Sequence, residues 1–300
     1  MIRMRVARLS PSYLPIVGGT ETSVRNQVIF LKKHGVSSEI LTLCDRKKWK
    51  SSRNLETKCI DDTRVLTWPS YPFGLLRIAS TRMLNVHLFP ANTFILNKHL
   101  NQFDLLHFHD VADLSFPLSC LSSRKPKIFT CDTLQEFGKF YQHPRHNFMR
   151  KLLIRSANLF HVFSNADVRI LMNLGAQKED IRVVPHGVDV EQFRPRTATL
   201  SRDFVHIVHV GRIERRKGAA DLLRSIHIMK QQDRVSKRVV VSIAGEISDP
   251  GYYRELLAYK RRFQLDEVHF LGFVDDLPEW LRQADIFVCP SLLETLGIRQ

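Results

Sequence analysis

A basic loop beyond the middle of the chain contains the residue types that bind phosphate. An apolar stretch, Val205 to Val210, ends at Gly211, and a helical pattern begins after Gly218. An arginine grips phosphate oxygens as a fork and a lysine attracts them as a point charge. A helix N-terminus adds free N–H groups and a partial positive charge. From these residues alone, a phosphate site and a solvated basic loop are equally good interpretations. The cations between the two glycines are Arg212, Arg215, Arg216 and Lys217.

The apolar pattern around this loop predicts an α/β chain of two domains. Short apolar strands alternate with amphipathic helices in both halves, which favours open sheets of parallel strands. We expect the first domain at residues 1–190, a polar linker at 191–203 and the second domain at 204–300. Residues 45–62 are polar, and we expect them to form a surface excursion. Rossmann-like domains of this kind bind ligands at the carboxyl ends of their strands, in the cleft between the domains.

The composition excludes several classes of protein. No stretch approaches the roughly 20 apolar residues that span a bilayer, and the basic N-terminus lacks the features of a secretory leader, so we expect a cytoplasmic protein. The five cysteines lack the spacing of a disulfide framework or a zinc site. A net charge of +15 calls for an anionic partner. No nucleic-acid-binding motif is recognisable, so we expect no nucleic acid.

Seven short motifs follow one another in the order of a known enzyme family. Each motif is weak alone, whereas the set in register over nearly the whole chain is specific. The chain resembles the retaining glycosyltransferases of family four. The resemblance implies the GT-B fold, in which two Rossmann-like domains face each other across a cleft. It also implies sugar transfer from a nucleotide-sugar with retention of anomeric configuration and without a metal or other cofactor. The motifs are GGTE (18–21), HFHD (107–110), VVPHGVDVEQF (183–193), GRIERRKG (211–218), AGE (244–246), FLGFVDDLPEWLRQADIFVCPS (270–291) and LETLG (293–297).

The resemblance assigns residues of both domains to the donor, a UDP- or GDP-linked sugar. Arg212 and Lys217 would clamp the diphosphate and offset the negative charge that grows as the glycosidic bond to the nucleotide breaks. Glu294 would contact hydroxyls of the donor sugar. Gly19, in a turn without a Cβ, would let backbone N–H groups approach the phosphates. The other implied donor-side positions are Gly18 and Gly211, Phe273 and Val274 beside the nucleobase, and Thr295, Leu296 and Gly297 near the sugar and phosphate.

Two histidines and one aspartate are candidates for the acceptor side and for catalysis. His107 and His109 lie two residues apart in a strand and therefore share one face. Polar residues at a strand end and residues that line the acceptor site are equally good interpretations. The family has a histidine at the end of the next strand, in a T-x-H segment, where this chain has Asp132. An aspartate can accept a hydrogen bond from a sugar hydroxyl but supplies no imidazole donor, so this catalytic position has altered chemistry.

The segment Lys139 to Arg155 contains no acidic residue and predicts a basic amphipathic helix. Phe148, Leu152 and Arg155 follow helical spacing. Such a helix can bind an anionic membrane surface, which would suit a lipid-linked acceptor and a peripheral location at the inner face of the cell membrane. An ordinary core-facing helix with a solvated basic side explains the pattern slightly better.

The chain ends at Gln300, before features that the family contains. The family's second glutamate would lie eight residues after Glu294, two residues past the end. We therefore expect an incomplete second domain, in a C-terminally truncated glycosyltransferase that acts on a lipid-linked, polysaccharide or other acceptor. One alternative is a catalytically impaired remnant that binds a nucleotide-sugar or a partner without turnover, which Asp132 and the missing end favour. Another is a basic RNA- or membrane-binding protein on the same scaffold.

Overall fold

The chain divides into two compact units, Met1–His186 and Gly187–Gln300. The structure is a computed structural model. It describes residues 4–10, 13–14, 18–42, 55–68, 93–109, 123–132, 147–196, 202–232 and 237–292. Part of the segment expected as a linker is bonded to the second unit. Arg282 donates to the Gln192 carbonyl at 3.0 Å, and Arg196 donates to the Arg282 carbonyl at 3.2 Å.

The first unit contains an eight-stranded sheet in the order β3-β4-β2-β1-β5-β6-β7-β8. Adjacent strands are parallel except for the antiparallel pair β3 and β4. The strands are β1 Met4–Ser10, β2 Val36–Thr42, β3 Glu56–Ile60, β4 Thr63–Thr67, β5 Leu105–His109, β6 Lys127–Thr130, β7 Leu159–Val162 and β8 Ile181–Val183. The helices among the described residues are α1 Gly19–Lys33, α2 Thr93–Leu100, α3 Asn147–Ser156 and α4 Asn165–Leu174.

The polar excursion expected at residues 45–62 contains strand β3, which corrects that expectation. Glu56–Ile60 pairs with β4 across a two-residue turn at Asp61 and Asp62, whose φ angles are 48° and 57°. A turn with positive φ at both central residues matches the twist of antiparallel strands, and aspartate tolerates this conformation better than most residues. Because β3 is an edge strand with mostly exposed side chains, it carries little apolar signal.

The second unit contains a four-stranded parallel sheet in the order β11-β10-β9-β12. The helix after β10 begins at Pro250, a residue suited to the first helical position. The carboxylate of Asp249, the residue before it, caps the helix by accepting the Tyr252 N–H at 2.9 Å. The strands are β9 Phe204–Val210, β10 Arg238–Ala244, β11 Val268–Gly272 and β12 Ile286–Phe287, and the helices are α5 Ala219–Gln231, α6 Pro250–Arg262 and α7 Leu277–Arg282.

Each unit has its own apolar core between its sheet and its helices. In the second unit, Leu222, Leu223 and Ile226 lie on one face of α5 and pack in the same buried cluster as Val241 and Ile243 of β10. This spacing of one, three and four residues is that of an amphipathic helix. The first unit is built in the same way around buried residues of its central strands, which include Leu9, Leu41, Leu66, Leu106, Phe108, Phe129 and Phe160.

In both sheets, the strand order reverses beside the first strand of the unit. In the first unit β1 lies between β2 and β5, and in the second unit β9 lies between β10 and β12. In open α/β sheets, ligands bind outside the carboxyl ends of the strands where the order reverses. The basic loop follows β9, and His107 and His109 lie at the carboxyl end of β5. The topology therefore places both groups of candidate residues at positions where ligands bind in this class of sheet.

Candidate active site

The basic loop of the second unit is fixed at its start by backbone hydrogen bonds to the end of β10. The Gly211 N–H donates to the Ala244 carbonyl at 2.9 Å, and the Ile213 N–H donates to the Glu246 carbonyl at 2.8 Å. A single 3-10 turn, Arg215–Lys217, then leads into α5. The loop is thus an ordered extension of the sheet, and it presents its side chains at the carboxyl end of β9.

Two of the loop's four cations hold the loop together. Arg215 forms a 2.6 Å ion pair with Glu255 of α6, and its guanidinium lies 5.1 Å from the ring centroid of Tyr252. Arg216 donates to Glu214 at 2.7 Å, and its carbonyl accepts the Leu292 N–H at 2.9 Å. These contacts give Arg215 and Arg216 structural roles, in agreement with the family pattern, which matches only the outer two cations.

Arg212 and Lys217 lie at the two ends of the loop. The Arg212 side chain is 45% exposed and its guanidinium lies 3.2 Å from Glu214, which also binds Arg216. The stem of Lys217 packs against Gly211, because a Cβ built on this glycine would lie 3.6 Å from Lys217 Cδ. A half-buried lysine stem limits the positions that its ammonium group can reach. The two outer cations therefore offer one partly exposed guanidinium and one ammonium group on a restrained stem.

The N-terminus of α5 does not offer the free N–H groups that the sequence led us to expect. The Ala220 N–H donates to the phenolic oxygen of Tyr252 at 2.9 Å, and those of Asp221 and Leu222 donate to the Gly218 carbonyl at 2.9 and 3.2 Å. Gly218 has φ +73°, and a Cβ there would lie 2.0 Å from the Pro290 carbonyl oxygen. The expectation was wrong because Tyr252 of α6 satisfies the first of these donors, and the carbonyl of Gly218, the N-cap of α5, satisfies the other two.

The other donor-side candidates fall into three groups. Phe273 and Val274 directly follow β11, and Phe273 is 58% exposed. Gly18 is the N-cap of α1. Gly19 is the first helical residue, which corrects its placement in a turn before the helix, and no described atom lies within 4 Å of the position of a Cβ there. Glu294, Thr295, Leu296 and Gly297 lie outside the described residues.

A buried arginine, which sequence reasoning missed, lies between the two histidines of the first unit. Arg8 of β1 is 1% exposed. Its Nη1 atom lies 3.1 Å from His107 Nδ1, 3.1 Å from His109 Nε2 and 2.8 Å from Gln27 Oε1. The register of β1 and β5, which pairs Arg8 with His107, creates this cluster. A single arginine in a strand gives no sequence signal for such contacts.

The cluster continues across two further strands as a chain of hydrogen bonds. His107 Nε2 lies 2.7 Å from the Thr130 hydroxyl of β6, which lies 2.9 Å from His161 Nδ1 of β7. His161 Nε2 lies 2.8 Å from the Val184 carbonyl oxygen. These side chains join the carboxyl ends of four neighbouring strands, β1, β5, β6 and β7. The histidines are therefore parts of one polar network.

Burial controls the charge of this network. It lowers the pKa of His107 and His109 well below 6.5, and the neighbouring Arg8 charge lowers both further. Burial also lowers the pKa of Arg8 to about 10, so this guanidinium remains charged at neutral pH. The cluster thus consists of one cation and two neutral imidazoles.

We expect the first unit to lose stability steeply as the pH falls from 7.5 to 5.5. The unfolded chain binds a proton at each histidine near pH 6.5, whereas the folded state keeps His107 and His109 neutral. Because these folded pKa values are lowered, the stability is complete above pH 6.5 and declines below it. Each histidine costs about 1.4 kcal/mol per pH unit, so the pair costs about 3 kcal/mol at pH 5.5.

Native-state hydrogen exchange at the β5 amides measures this loss as a fall in the free energy of opening. His34→Gln is the matched control, because His34 is exposed and its replacement should leave the pH dependence unchanged. An opening free energy that is equal at pH 7.5 and 5.5 would contradict the neutral state of the pair.

Asp132 lies close to the same edge of the sheet. It follows β6, the strand beside β5, and is 7% exposed. The preceding residue, Cys131, donates its N–H to the His161 carbonyl at 3.0 Å. The structure thus brings His107, His109 and Asp132 to the carboxyl ends of two adjacent strands. The carboxylate is buried where the family has an imidazole.

Metal-binding clusters and membrane-spanning helices are both absent from the described part of the chain. No group of three or more histidine, cysteine, aspartate or glutamate side chains there could hold a metal ion. Nor does that part contain a helix whose length and apolar character would let it cross a membrane.

The chain was compared with curated proteins. It is 29% identical over 143 residues to D-inositol 3-phosphate glycosyltransferase of Streptomyces bingchenggensis, a match that covers 43% of this chain and 31% of the relative. The match thus spans about a third of that protein's length. The chain is also 21% identical over 323 aligned positions to alpha-monoglucosyldiacylglycerol synthase of Streptococcus pneumoniae. This match covers 98% of the chain and 68% of the relative.

The fold matches solved structures over nearly its whole length. The complex of Anabaena Alr3699/HepE with UDP and glucose aligns with a TM-score of 0.70 and 17% identity, covering 98% of this chain and 76% of that one. This likeness shows that the chain has the GT-B fold. The profile described as Glycosyl transferases group 1 matches residues 205–299. The profile described as Glycosyltransferase Family 4 matches residues 17–192, more than half of the 300-residue chain. The chain therefore belongs to glycosyltransferase family 4.

Proposed function

We propose that this protein transfers a sugar from a UDP- or GDP-linked donor to an acceptor, with retention of anomeric configuration. The observation that carries the proposal is the position of Arg212 and Lys217, at the carboxyl end of β9 where the strand order reverses. Two cations at this point of an α/β sheet fit a nucleoside diphosphate best. Retention is supported by the family that the chain resembles.

In this proposal, the basic loop stabilises the leaving group. The bond between the anomeric carbon and the diphosphate oxygen breaks, the oxygen of the acceptor hydroxyl bonds to the same carbon, and the hydroxyl proton passes to the departing diphosphate. Arg212 would exchange its contact with Glu214, 3.2 Å away, for a phosphate oxygen. Lys217 would add a second positive charge at the diphosphate. Fixed cations that face developing negative charge lower the transition-state energy without reorganisation.

Other candidate residues complete the proposed donor site. The exposed ring of Phe273, with Val274, would border the nucleobase. Glu294 and the backbone of Thr295 to Gly297 would contact the donor sugar and phosphate. On the first unit, the helix dipole at the first turn of α1, where Gly19 lies, would favour a phosphate.

A second candidate function is binding of a nucleotide-sugar without turnover. Asp132 favours it, because a buried carboxylate stands where the family has a histidine that can donate a hydrogen bond. The two functions share the same donor site and differ only in whether the bond to the sugar breaks.

Titration calorimetry with UDP, GDP, UDP-glucose and GDP-mannose, followed by an assay for released nucleotide, separates the two functions. We expect either UDP or GDP to bind and the corresponding nucleotide-sugar to be consumed. NMR of the product then shows whether the anomeric configuration is retained. Binding without consumption would favour the second function. If no nucleotide or nucleotide-sugar binds, both functions are wrong.

We propose a lipid-linked or polysaccharide acceptor on the cytoplasmic side of the membrane. Helix α3 supports membrane contact, because Lys151 and Arg155 are exposed and lie one turn apart; the side chain of Phe148 is outside the described residues. We expect co-sedimentation with phosphatidylglycerol vesicles and at least about thirtyfold weaker binding by the Lys151→Glu, Arg155→Glu double variant, since each of the two lost bases contributes about 1 kcal/mol. Equal binding to phosphatidylcholine vesicles would exclude this contact.

A further inference from the structure

The hydrogen-bond network of the first unit has two ends whose roles are fixed. A guanidinium can only donate hydrogen bonds and a carbonyl oxygen can only accept them. At the carbonyl end, His161 Nε2 lies 2.8 Å from the Val184 oxygen and therefore carries the proton. Burial lowers the pKa of His161 below 6.5, so its imidazole is neutral at pH 7.5 and its Nδ1 is an acceptor. The Thr130 hydroxyl, 2.9 Å away, must donate to it.

The proton of His107 follows from that step. The Thr130 hydroxyl has used its proton, so its oxygen accepts from His107 Nε2 at 2.7 Å. His107 Nδ1 is then unprotonated and accepts from Arg8 Nη1 at 3.1 Å. Both fixed ends give the same assignment, which leaves no choice of tautomer between Val184 and Arg8.

His109 must have the opposite tautomer. Its Nε2 lies 3.1 Å from the same Arg8 Nη1 atom. One Nη1 hydrogen is donated to Gln27 Oε1 at 2.8 Å, so the second is shared between His107 Nδ1 and His109 Nε2, and both ring nitrogens accept it. A neutral ring then carries its proton on Nδ1, since the hydrogen bond at one ring nitrogen decides which nitrogen is protonated. His109 Nδ1 is buried and has no hydrogen-bond partner in the described part of the chain. An unmet buried donor is costly, so a ligand that accepts a hydrogen bond from this atom would offset that cost.

We infer that Arg8 is a positioning residue that fixes His107 and His109 as neutral imidazoles of opposite tautomer. Arg8 thereby holds His109 with an N–H donor at the carboxyl edge of the sheet. This donor supplies what Asp132, on the neighbouring strand, lacks: an imidazole N–H that can bind a substrate hydroxyl. The last step rests on the proposed function, whereas the tautomers do not.

The tautomers are measured by long-range ¹H–¹⁵N NMR of the histidine rings in the wild-type protein. The chain has 13 histidines, so His107→Gln and His109→Gln spectra supply the two assignments. We expect a proton on Nε2 of His107 and on Nδ1 of His109 at pH 7.5. A proton on Nε2 of His109, or a protonated His109 ring, would overturn the inference without any variant of Arg8.

Two variants of Arg8 then test its role. Arg8→Met removes the donor, so His109 should change to the Nε2 tautomer, while Arg8→Lys keeps a buried cation that can donate and should keep the wild-type tautomer. An unchanged His109 spectrum in a folded Arg8→Met protein would show that Arg8 does not set the tautomer. If Arg8→Met does not fold, the wild-type and Arg8→Lys spectra decide alone.

Kinetics with UDP-glucose as the probe test the functional step. We expect Arg8→Met, in which His109 loses its Nδ1 proton, to lower kcat about tenfold, whereas Arg8→Lys, which keeps the tautomer, should retain kcat within about threefold. The KM for UDP-glucose should stay within twofold in both variants, because the proposed diphosphate site lies on the second unit. A folded Arg8→Met protein with the kcat of the wild type would overturn the functional step. Absence of turnover in the wild type would instead count against the proposed function. The NMR spectra of the histidine rings would then be the test of the role of Arg8.

Discussion

Lys217→Ala should lower the rate of sugar transfer by a factor of about 100 to 1,000 while leaving the fold intact. Loss of one fixed group that stabilises developing charge has this magnitude in enzymes. The lysine lies in a loop whose backbone is bonded to β10 independently of this side chain, through Gly211 and Ile213. Lys217→Ala therefore removes a positive charge while these two backbone hydrogen bonds stay in place.

The same loop contains a matched control. Arg215→Ala removes an equal charge two residues away, but this arginine is 64% exposed and paired with Glu255. Loss of an exposed ion pair costs at most about 1 kcal/mol. We therefore expect Arg215→Ala to retain transfer within about threefold, and calorimetry should show weaker UDP binding only for Lys217→Ala. Equal losses in both variants would mean that the loop acts through its net charge, and near-normal transfer by Lys217→Ala would refute the clamp.

The sequence located the basic loop between Gly211 and Gly218 but not the polar network around Arg8, for a physical reason. Arg212 and Lys217 lie five residues apart in one loop, so local spacing and the preceding apolar strand show that they belong together. The contacts of Arg8 reach residues 99 and 101 positions away, because they depend on the register between β1 and β5. No local pattern contains that register, and a lone arginine in a strand looks like an exposed residue.

The fold shows the same division between local and distant information. Buried strands such as β9 and amphipathic helices such as α5 have periodic apolar residues, and the sequence predicted them within two residues of the observed bounds. Strand β3 was missed because its stability comes from pairing with β4 rather than from burial. The donors at the start of α5 were misjudged because Tyr252, which accepts one of them, lies 32 residues away in sequence.

Gly245→Ala should destabilise the second unit by about 3 kcal/mol and disrupt the basic loop that follows β9. Gly245 has φ +152°, a conformation that side chains rarely adopt, and a Cβ there would lie 1.8 Å from the Gly211 carbonyl oxygen. Its own N–H donates to the Gly272 carbonyl at 2.7 Å. The residue is therefore held between the ends of β9 and β11, and the clash can be relieved only by moving backbone. Strained backbone and overpacking each cost about 1–3 kcal/mol.

Thermal unfolding and UDP binding measure both consequences of this substitution. We expect the melting temperature of the second unit to fall by about 10 °C or more, with weaker UDP binding because the Cβ would also lie 3.2 Å from the Arg212 nitrogen. Gly251→Ala is the matched control: its Cβ would meet only the Asp249 carboxylate, at 3.3 Å, and alanine favours the helix. This control should unfold within a few degrees of the wild type. If Gly245→Ala has the same melting temperature as the control, the backbone at Gly211 can move to accommodate the Cβ. The close approach of Gly245 to Gly211 would then not determine the position of Arg212.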